Sequence, residues 1–276
     1  MSFVFSLFQE KQQPDDGSVF LFHQDRLLVR RDGEVVTVPL LSDVRGAGVS
    51  VPLLFTFGTS DGHICFAGRE STEVVTDIPG LTYVSIRSLF FTISDDQFMT
   101  VLCGLHVTRW FGNTLFCGKC GRATTLSETE PAKICGSCGH VQYPKISPAI
   151  IVAVVNGDRI LLGHSGRFPE KLYSVIAGFV DPGETLEQCV LREVKEETGI
   201  DIDSVTYFGS QPWPFPDSLM IGFTARYTGG IIQVDGKELL HADWFRADEL
   251  PAIPEGKSIS RRLINWFIEQ NKKGRP

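Results

Sequence analysis

The stretch Gly178-Phe-Val-Asp-Pro-Gly-Glu184-Thr-Leu-Glu-Gln-Cys-Val-Leu-Arg192-Glu193-Val-Lys-Glu196-Glu197-Thr-Gly199-Ile200 decides the reading of the C-terminal half of this 276-residue chain. Thr185 followed three residues later by Gln188 makes a capping box, which sets a helix start. Leu186, Val190 and Val194 form an apolar stripe at four-residue spacing, and Gly199 is a C-terminal stop, so a helix is predicted over about 185–198. Glu193, Glu196 and Glu197 are related by i, i+3 and i+4 and crowd three carboxylates onto one face. The plain alternative is a solvated acidic helix. Hard divalent cations instead turn such repulsion into binding, and the preceding glycine-containing loop, Glu184 and Arg192 favour that reading.

Outward from this helix the pattern from Pro148 onward is α/β. A strand-like run Ile150–Val155 meets a turn at Asn156-Gly157-Asp158 and continues as Arg159–Gly163. Further strands are expected at Tyr173–Ala177 and near 205–209, 219–227 and 243–246, with a final amphipathic helix at about 257–270. Residues 1–113 show short apolar runs (Val19–Phe22, Arg26–Val29, Val35–Val38, Leu53–Phe57, His63–Phe66, Tyr83–Ile86). Asp15-Asp16-Gly17, Asp32-Gly33 and Asp61-Gly62 stand between or beside them, as hairpin turns would. A β-rich domain is predicted there, with one helix over 94–111 that starts after Ser94-Asp95-Asp96 and buries Phe98, Val101, Leu102 and Leu105.

Between the two halves, residues 114–143 are rich in Cys, Gly, Thr and Lys and too poor in large apolar groups to build a core. Cys117-Gly-Lys-Cys120 and Cys135-Gly-Ser-Cys138 are paired knuckles, with Gly118, Gly121, Gly136 and Gly139 beside them. Four thiolates suit one tetrahedral structural zinc per chain and leave no open position for catalysis; a redox dithiol is the weaker alternative. His140 would be a surplus ligand. Cys65, Cys103 and Cys189 read as buried thiols.

Composition is that of an ordinary globular protein, 42% hydrophobic and 21% charged, and the net charge of −7 argues against a broad electrostatic grip on nucleic acid. No run approaches the ~20 apolar residues that span a bilayer. The apolar start Met1–Phe8 lacks a basic region and ends at Glu10 and Lys11, so a cytoplasmic protein without membrane attachment is expected.

Residues 178–200 resemble the Nudix box, Gly-x5-Glu-x7-Arg-Glu-U-x-Glu-Glu-x-Gly-U, with Val194 and Ile200 in the aliphatic places. The resemblance implies an α/β/α sandwich that hydrolyses a nucleoside diphosphate linked to another group. It implies that Glu193, Glu196 and Glu197 hold Mg²⁺ or Mn²⁺, with Glu197 the most sensitive to loss. Arg192 would orient the glutamates, and Glu184 would support the loop or a metal-bound water. Bound cations offset diphosphate charge and lower the pKa of a water, and glutamates accept its proton.

Ser210-Gln211-Pro212-Trp213-Pro214-Phe215-Pro216-Asp217-Ser218-Leu219-Met220 reads as a stiff aromatic loop that cannot be a central strand. It resembles the signature of the NADH pyrophosphatase (NudC-type) branch of the family. The order of β-rich domain (1–113), four-Cys zinc ribbon (114–143) and Nudix domain (144–276) is similar to that branch over the whole chain. The overall expectation is therefore a mixed α+β and α/β protein.

This likeness implies cleavage of NADH or NAD⁺ to nicotinamide mononucleotide and AMP, extending in some members to removal of NAD caps from RNA. It further implies Glu238 as a fourth metal ligand. Phe179, Tyr143 and Ser260 would contact substrate, with Tyr143 reaching across a homodimer interface, and Gln211, Pro212, Trp213, Pro214, Phe215, Pro216 and Ser218 would line its pocket. Lys145 stands where the family often has Arg, which removes the bidentate fork. Two competing readings are a Nudix hydrolase preferring ADP-ribose or another nucleoside diphosphate derivative, and a zinc-ribbon binding module whose hydrolase domain is inactive.

Overall fold

The computed structural model describes residues 3–8, 16–49, 54–69, 80–166, 172–234 and 236–273. Met1, Ser2, Glu10 and Lys11 of the apolar start, Asp15 of the first expected turn and Leu53 of an expected strand lie outside the described residues. The chain forms two units, Met1–Lys145 and Ile146–Pro276.

The first unit runs β1 (Phe3–Phe8), β2 (Ser18–His23), β3 (Arg26–Asp32), β4 (Val35–Thr37), α1 (Leu41–Gly46), β5 (Leu54–Ser60), β6 (His63–Arg69), β7 (Leu81–Ser85), α2 (Ile86–Leu89) and α3 (Asp95–Asn113). The strands form a sheet in the order β1-β5-β6-β2-β3-β4, with β7 added on β3. Asp61 and Gly62, at φ 52° and 85°, make the two-residue turn between β5 and β6, because two left-handed residues match the strand twist. Asp32 pairs with Val35 across a Gly33-Glu34 turn.

Asp16-Gly17 departs from expectation. It opens β2, whose partners are β6 (parallel) and β3, so among the described residues no hairpin forms at that turn. A hairpin that carries no glycine signal joins β2 to β3 through Gln24 and Asp25, with Gln24 at φ 50°. Helix α3 starts at the predicted cap, where the Ser94 hydroxyl accepts from the Gln97 backbone N–H. Phe98, Val101, Leu102 and Leu105 are all buried, and α3 packs on β6 and β2.

The same unit contains a small sheet of β8 (Thr125–Leu126), β9 (Lys133–Ile134) and β10 (Val141–Gln142), in the order β10-β9-β8. Lacking its own core, it is held to α3 by Lys133, which is 1% exposed. The Lys133 ammonium donates to the Phe111 carbonyl at 3.0 Å and lies 3.5 Å from the centroid of the Phe111 ring, which in turn stacks on Phe55. Burial brings its pKa down to about 8.

The second unit comprises β11 (Ser147–Asn156), β12 (Arg159–Ser165), β13 (Ile176–Phe179), α4 (Leu186–Thr198), β14 (Asp201–Trp213), β15 (Ser218–Gly229), β16 (Leu239–Arg246) and α5 (Ile259–Lys273). Its sheet has the order β14-β15-β11-β12-β16, and β13 pairs with the first half of β11. The unbroken apolar run in β11 follows from two covered faces. Ile150, Val152 and Val154 pack with Cys189, Val190 and Val194 of α4. Ile151 and Ala153 pack with Ile259, Leu263, Ile264 and Phe267 of α5. Each such fully buried Val or Ile contributes roughly 1.5–3 kcal/mol of transfer free energy. An α/β/α sandwich results.

Two expectations shift. The strand expected at Tyr173–Ala177 enters the ladder only at Ile176, because Tyr173 donates to the Ala252 carbonyl and Ser174 pairs with Gly163. Gln211, Pro212 and Trp213, expected in a loop, are the end of β14. That strand lies at the sheet edge, where a missing N–H is tolerated, and only 214–217 form the turn into β15. Among the described residues no helix is long and apolar enough to cross a membrane.

Candidate active site and zinc centre

Helix α4 carries the acidic face, and its ends are set as the spacing predicts. The Gln188 backbone N–H donates to the Thr185 hydroxyl at 3.2 Å, the Thr185 N–H donates to the Gln188 side chain at 2.8 Å, and Gly199 closes the helix at φ 74°. Such a cap contributes about 1 kcal/mol.

Arg192 is the hub of the cluster. Its Nε and Nη2 donate to the two Glu184 carboxylate oxygens at 2.8 and 2.9 Å, a bidentate clamp. Nη1 donates to Glu193 at 2.9 Å and to Glu196 at 3.1 Å, and Nη2 also reaches the Phe179 carbonyl at 3.0 Å. One guanidinium thus ties the loop before the helix to two helical carboxylates and to strand β13. The Arg192 clamp and the Asp181 backbone N–H hold the Glu184 carboxyl down to about 2.

Glu193 has the opposite tendency: burial pushes its pKa up, the Arg192 hydrogen bond and charge oppose this, and the negative charges of Glu196 and Glu238 add to the rise. Glu238 therefore stands within the field of the cluster. Glu197 is buried at 6% exposed, whereas the Glu196 side chain is 62% exposed. Glu193 passes directly over Gly178 of β13, where any β-carbon would overlap its carboxyl group. Among the described residues the glutamates do not meet as a set of ligand atoms within 4.8 Å of one another; Arg192 holds Glu193 and Glu196 in their present positions.

The four cysteines do meet. The sulfurs of Cys117, Cys120, Cys135 and Cys138 all lie within 4.8 Å of one another. Cys117–Cys138 at 3.7 Å and Cys120–Cys135 at 3.5 Å are close to the ~3.8 Å edge of a tetrahedron with Zn–S bonds of about 2.3 Å. The two knuckles are alike: the Gly121 N–H donates to the Cys117 carbonyl and the Gly139 N–H to the Cys135 carbonyl, with both glycines left-handed at φ 72° and 70°. Gly118 and Gly136 have no such conformation, so only the second glycine of each knuckle is required by its backbone. The His140 carbonyl accepts from the Cys135 N–H, and its ring is not part of the cluster. The quartet is a structural zinc site.

The other expected site residues fall in several places. The Phe179 ring is 53% exposed beside the cluster, while its carbonyl accepts from Arg192 and from the Cys189 thiol. Trp213 and Phe215 meet edge to face at 5.2 Å across the turn containing Pro214 and Pro216, and buried Ser218 begins the returning strand opposite Trp213. Gln211 is committed to the start of α5, accepting from the Ile259 N–H at 2.8 Å and donating to the Lys257 carbonyl at 3.2 Å. The Ser260 hydroxyl pairs with that of Ser174 at 2.7 Å in a buried contact. Tyr143 belongs to the first unit and donates to Glu130 at 2.7 Å. Cys189 is buried as the sequence led us to expect, but its contact with the Phe179 carbonyl 10 residues away, and the role of Ser174, whose partner lies 86 residues away, were not legible in the sequence.

Residues 145–267 match the model of the NUDIX domain, and residues 113–143 match that of the NADH pyrophosphatase zinc ribbon domain. The chain is 42% identical over 230 residues to the NAD-capped RNA hydrolase NudC of Stutzerimonas stutzeri, covering 83% of this chain and 82% of that one. It is 41% identical over 192 residues to the protein of that name from Pseudomonas aeruginosa, covering 70% of this chain and 69% of the relative. A crystal structure of a NUDIX hydrolase from Nitrosomonas europaea is 22% identical, with a TM-score of 0.48, and covers 58% of this chain and 94% of that one. The chain belongs to the NudC family of Nudix hydrolases.

Proposed function

We propose that this chain hydrolyses the diphosphate bond of NADH or NAD⁺ to AMP and nicotinamide mononucleotide, and removes NAD caps from RNA. The observation that carries the reading is the Arg192-centred carboxylate cluster on α4, built against Gly178 with no box residue replaced. Glu193, Glu196, Glu197 and Glu238 would hold Mg²⁺ or Mn²⁺. Their fit rests on the hard oxygen donors they offer and on the burial and neighbouring negative charge around Glu193, which a cation would relieve. When bound, the cation neutralises diphosphate charge and lowers the pKa of a water.

Glu197, buried within the acidic face, accepts the proton of the attacking water. Arg192 keeps Glu193 and Glu196 aligned, and Glu184 keeps Arg192 in place. The exposed Phe179 ring stacks on a substrate base; Trp213 and Phe215, with Pro212, Pro214 and Pro216, wall the pocket. Ser218 sits at its base, Gln211 and Ser260 fix the start of α5 beneath it, and Tyr143 contacts substrate in a homodimer. The unpaired cysteines outside the zinc quartet fit a reducing cytoplasm. The chain is read as three parts, 1–113, 114–143 and 144–276.

Rates on NADH, ADP-ribose and NAD-capped RNA, measured with one preparation in Mn²⁺, test the substrate assignment. NADH and the capped RNA should be cleaved faster than ADP-ribose; a preference for ADP-ribose would overturn it.

A further inference from the structure

The Ser174 and Ser260 hydroxyls meet at 2.7 Å between two buried residues, and among the described residues each is the other's only side-chain hydrogen-bond partner. The contact ties the approach to β13 to the first turn of α5. Ser174 is itself fixed through its backbone. Its N–H donates to the Gly163 carbonyl at 2.9 Å, and its carbonyl accepts from the Gly163 N–H at 2.8 Å. Gly163 lies against buried Leu239, where a β-carbon would stand 2.9 Å from the Leu239 methyls. The hydroxyl that reaches α5 is therefore carried by backbone paired in both directions, with no room to slide.

The same helix start is also held by Gln211, through the Ile259 N–H and the Lys257 carbonyl. Gln211 belongs to β14, the strand that ends at Trp213, whereas Ser174 leads into β13, the strand that carries Gly178 and Phe179. Side chains from two strands thus converge on one turn of α5. Two facing buried hydroxyls add little apolar burial, and small apolar residues would fill the same space without needing partners. What the pair adds is a fixed distance and direction between the two elements. We propose that Ser174 is a positioning residue for substrate binding, which acts through Ser260 to set the start of α5 against the strand of Phe179. The inference rests on the proposed function, in which the start of α5 lies beneath the substrate pocket and Phe179 stacks on a base. Among the described residues no hydrogen bond links Ser174 to the α4 carboxylates or to Arg192, so its loss acts on binding and spares the chemical step.

Steady-state kinetics of the full zinc-loaded chain on NADH in Mn²⁺ test this with Ser174→Ala, Ser260→Ala and the double variant. Ser174→Ala should raise KM about 3- to 10-fold, the size of one lost hydrogen bond. Its kcat and its Mn²⁺ requirement for half-activation should stay within about 2-fold of wild type, as for an interaction that serves binding alone. In the Ser260→Ala background the same change should raise KM no further, because its route to the pocket is already gone. Ser174→Thr keeps the hydroxyl and should keep the wild-type KM. An unchanged KM in Ser174→Ala, a loss confined to kcat, independent addition of the two alanine effects, or a Thr variant as impaired as the Ala variant overturns the proposal. Absence of NADH cleavage by wild type overturns the proposed function, and this inference with it.

Discussion

Gly178 lies so close beneath Glu193 that a β-carbon at position 178 would overlap the glutamate carboxyl group. The glycine opening the box is thus demanded by a neighbour 15 residues away, on the helix packed over its strand. Gly178→Ala should push Glu193 off the acidic face and lower kcat/KM on NADH about 10–100-fold, the range typical of lost ligand support. Thermal unfolding should change far less. Undiminished activity would show that Glu193 need not sit where it is found.

The Arg192–Glu184 clamp predicts a pH signature. Glu184 is held at about 2 in the folded chain against an ordinary 4.5, so between these values the unfolded state binds more protons. Stability from the pair is complete above about pH 4.5 and is lost as pH falls toward 2. Arg192→Gln should lower Tm at pH 7 and flatten its decline below pH 4.5. Parallel Tm curves for variant and wild type would contradict the clamp.

The sulfur tetrahedron predicts one zinc per chain by metal analysis. Cys135→Ser removes a buried ligand from a segment with little core of its own, so it should lose the metal and expose residues 114–143 to proteolysis. Full zinc content and wild-type protease resistance would refute a structural role.

Gln211 is predicted to act on α5 through its two backbone hydrogen bonds. Gln211→Ala should cost about 0.5–2 kcal/mol in denaturant unfolding, as loss of a helix-start partner does. Unchanged stability with a raised KM would instead assign its amide directly to the substrate.

What could be read from the sequence divides along a physical line. Capping at Thr185, the left-handed Gly199, the α3 start at Ser94 and the knuckle cysteines are short-range features, and the structure has each in place. The acidic face was legible because i, i+3, i+4 geometry is local. Features set by distant partners were not. The strand after β12 begins at Ile176 rather than Tyr173 because Ala252 and Gly163 claim the residues before it. Pro212 sits in a strand because β14 lies at an edge, which no local rule announces. Buried Lys133 reads as a surface charge until the carbonyl and ring of Phe111 are seen beside it.

The most direct test of the account compares wild type with Glu197→Gln on NADH in Mn²⁺, separating products by chromatography. Wild type should release AMP and reduced nicotinamide mononucleotide in equal amounts, and the variant should be slower by roughly 10²–10⁴-fold with its fold intact. Absence of these products from wild type, or an equally active variant, would contradict it.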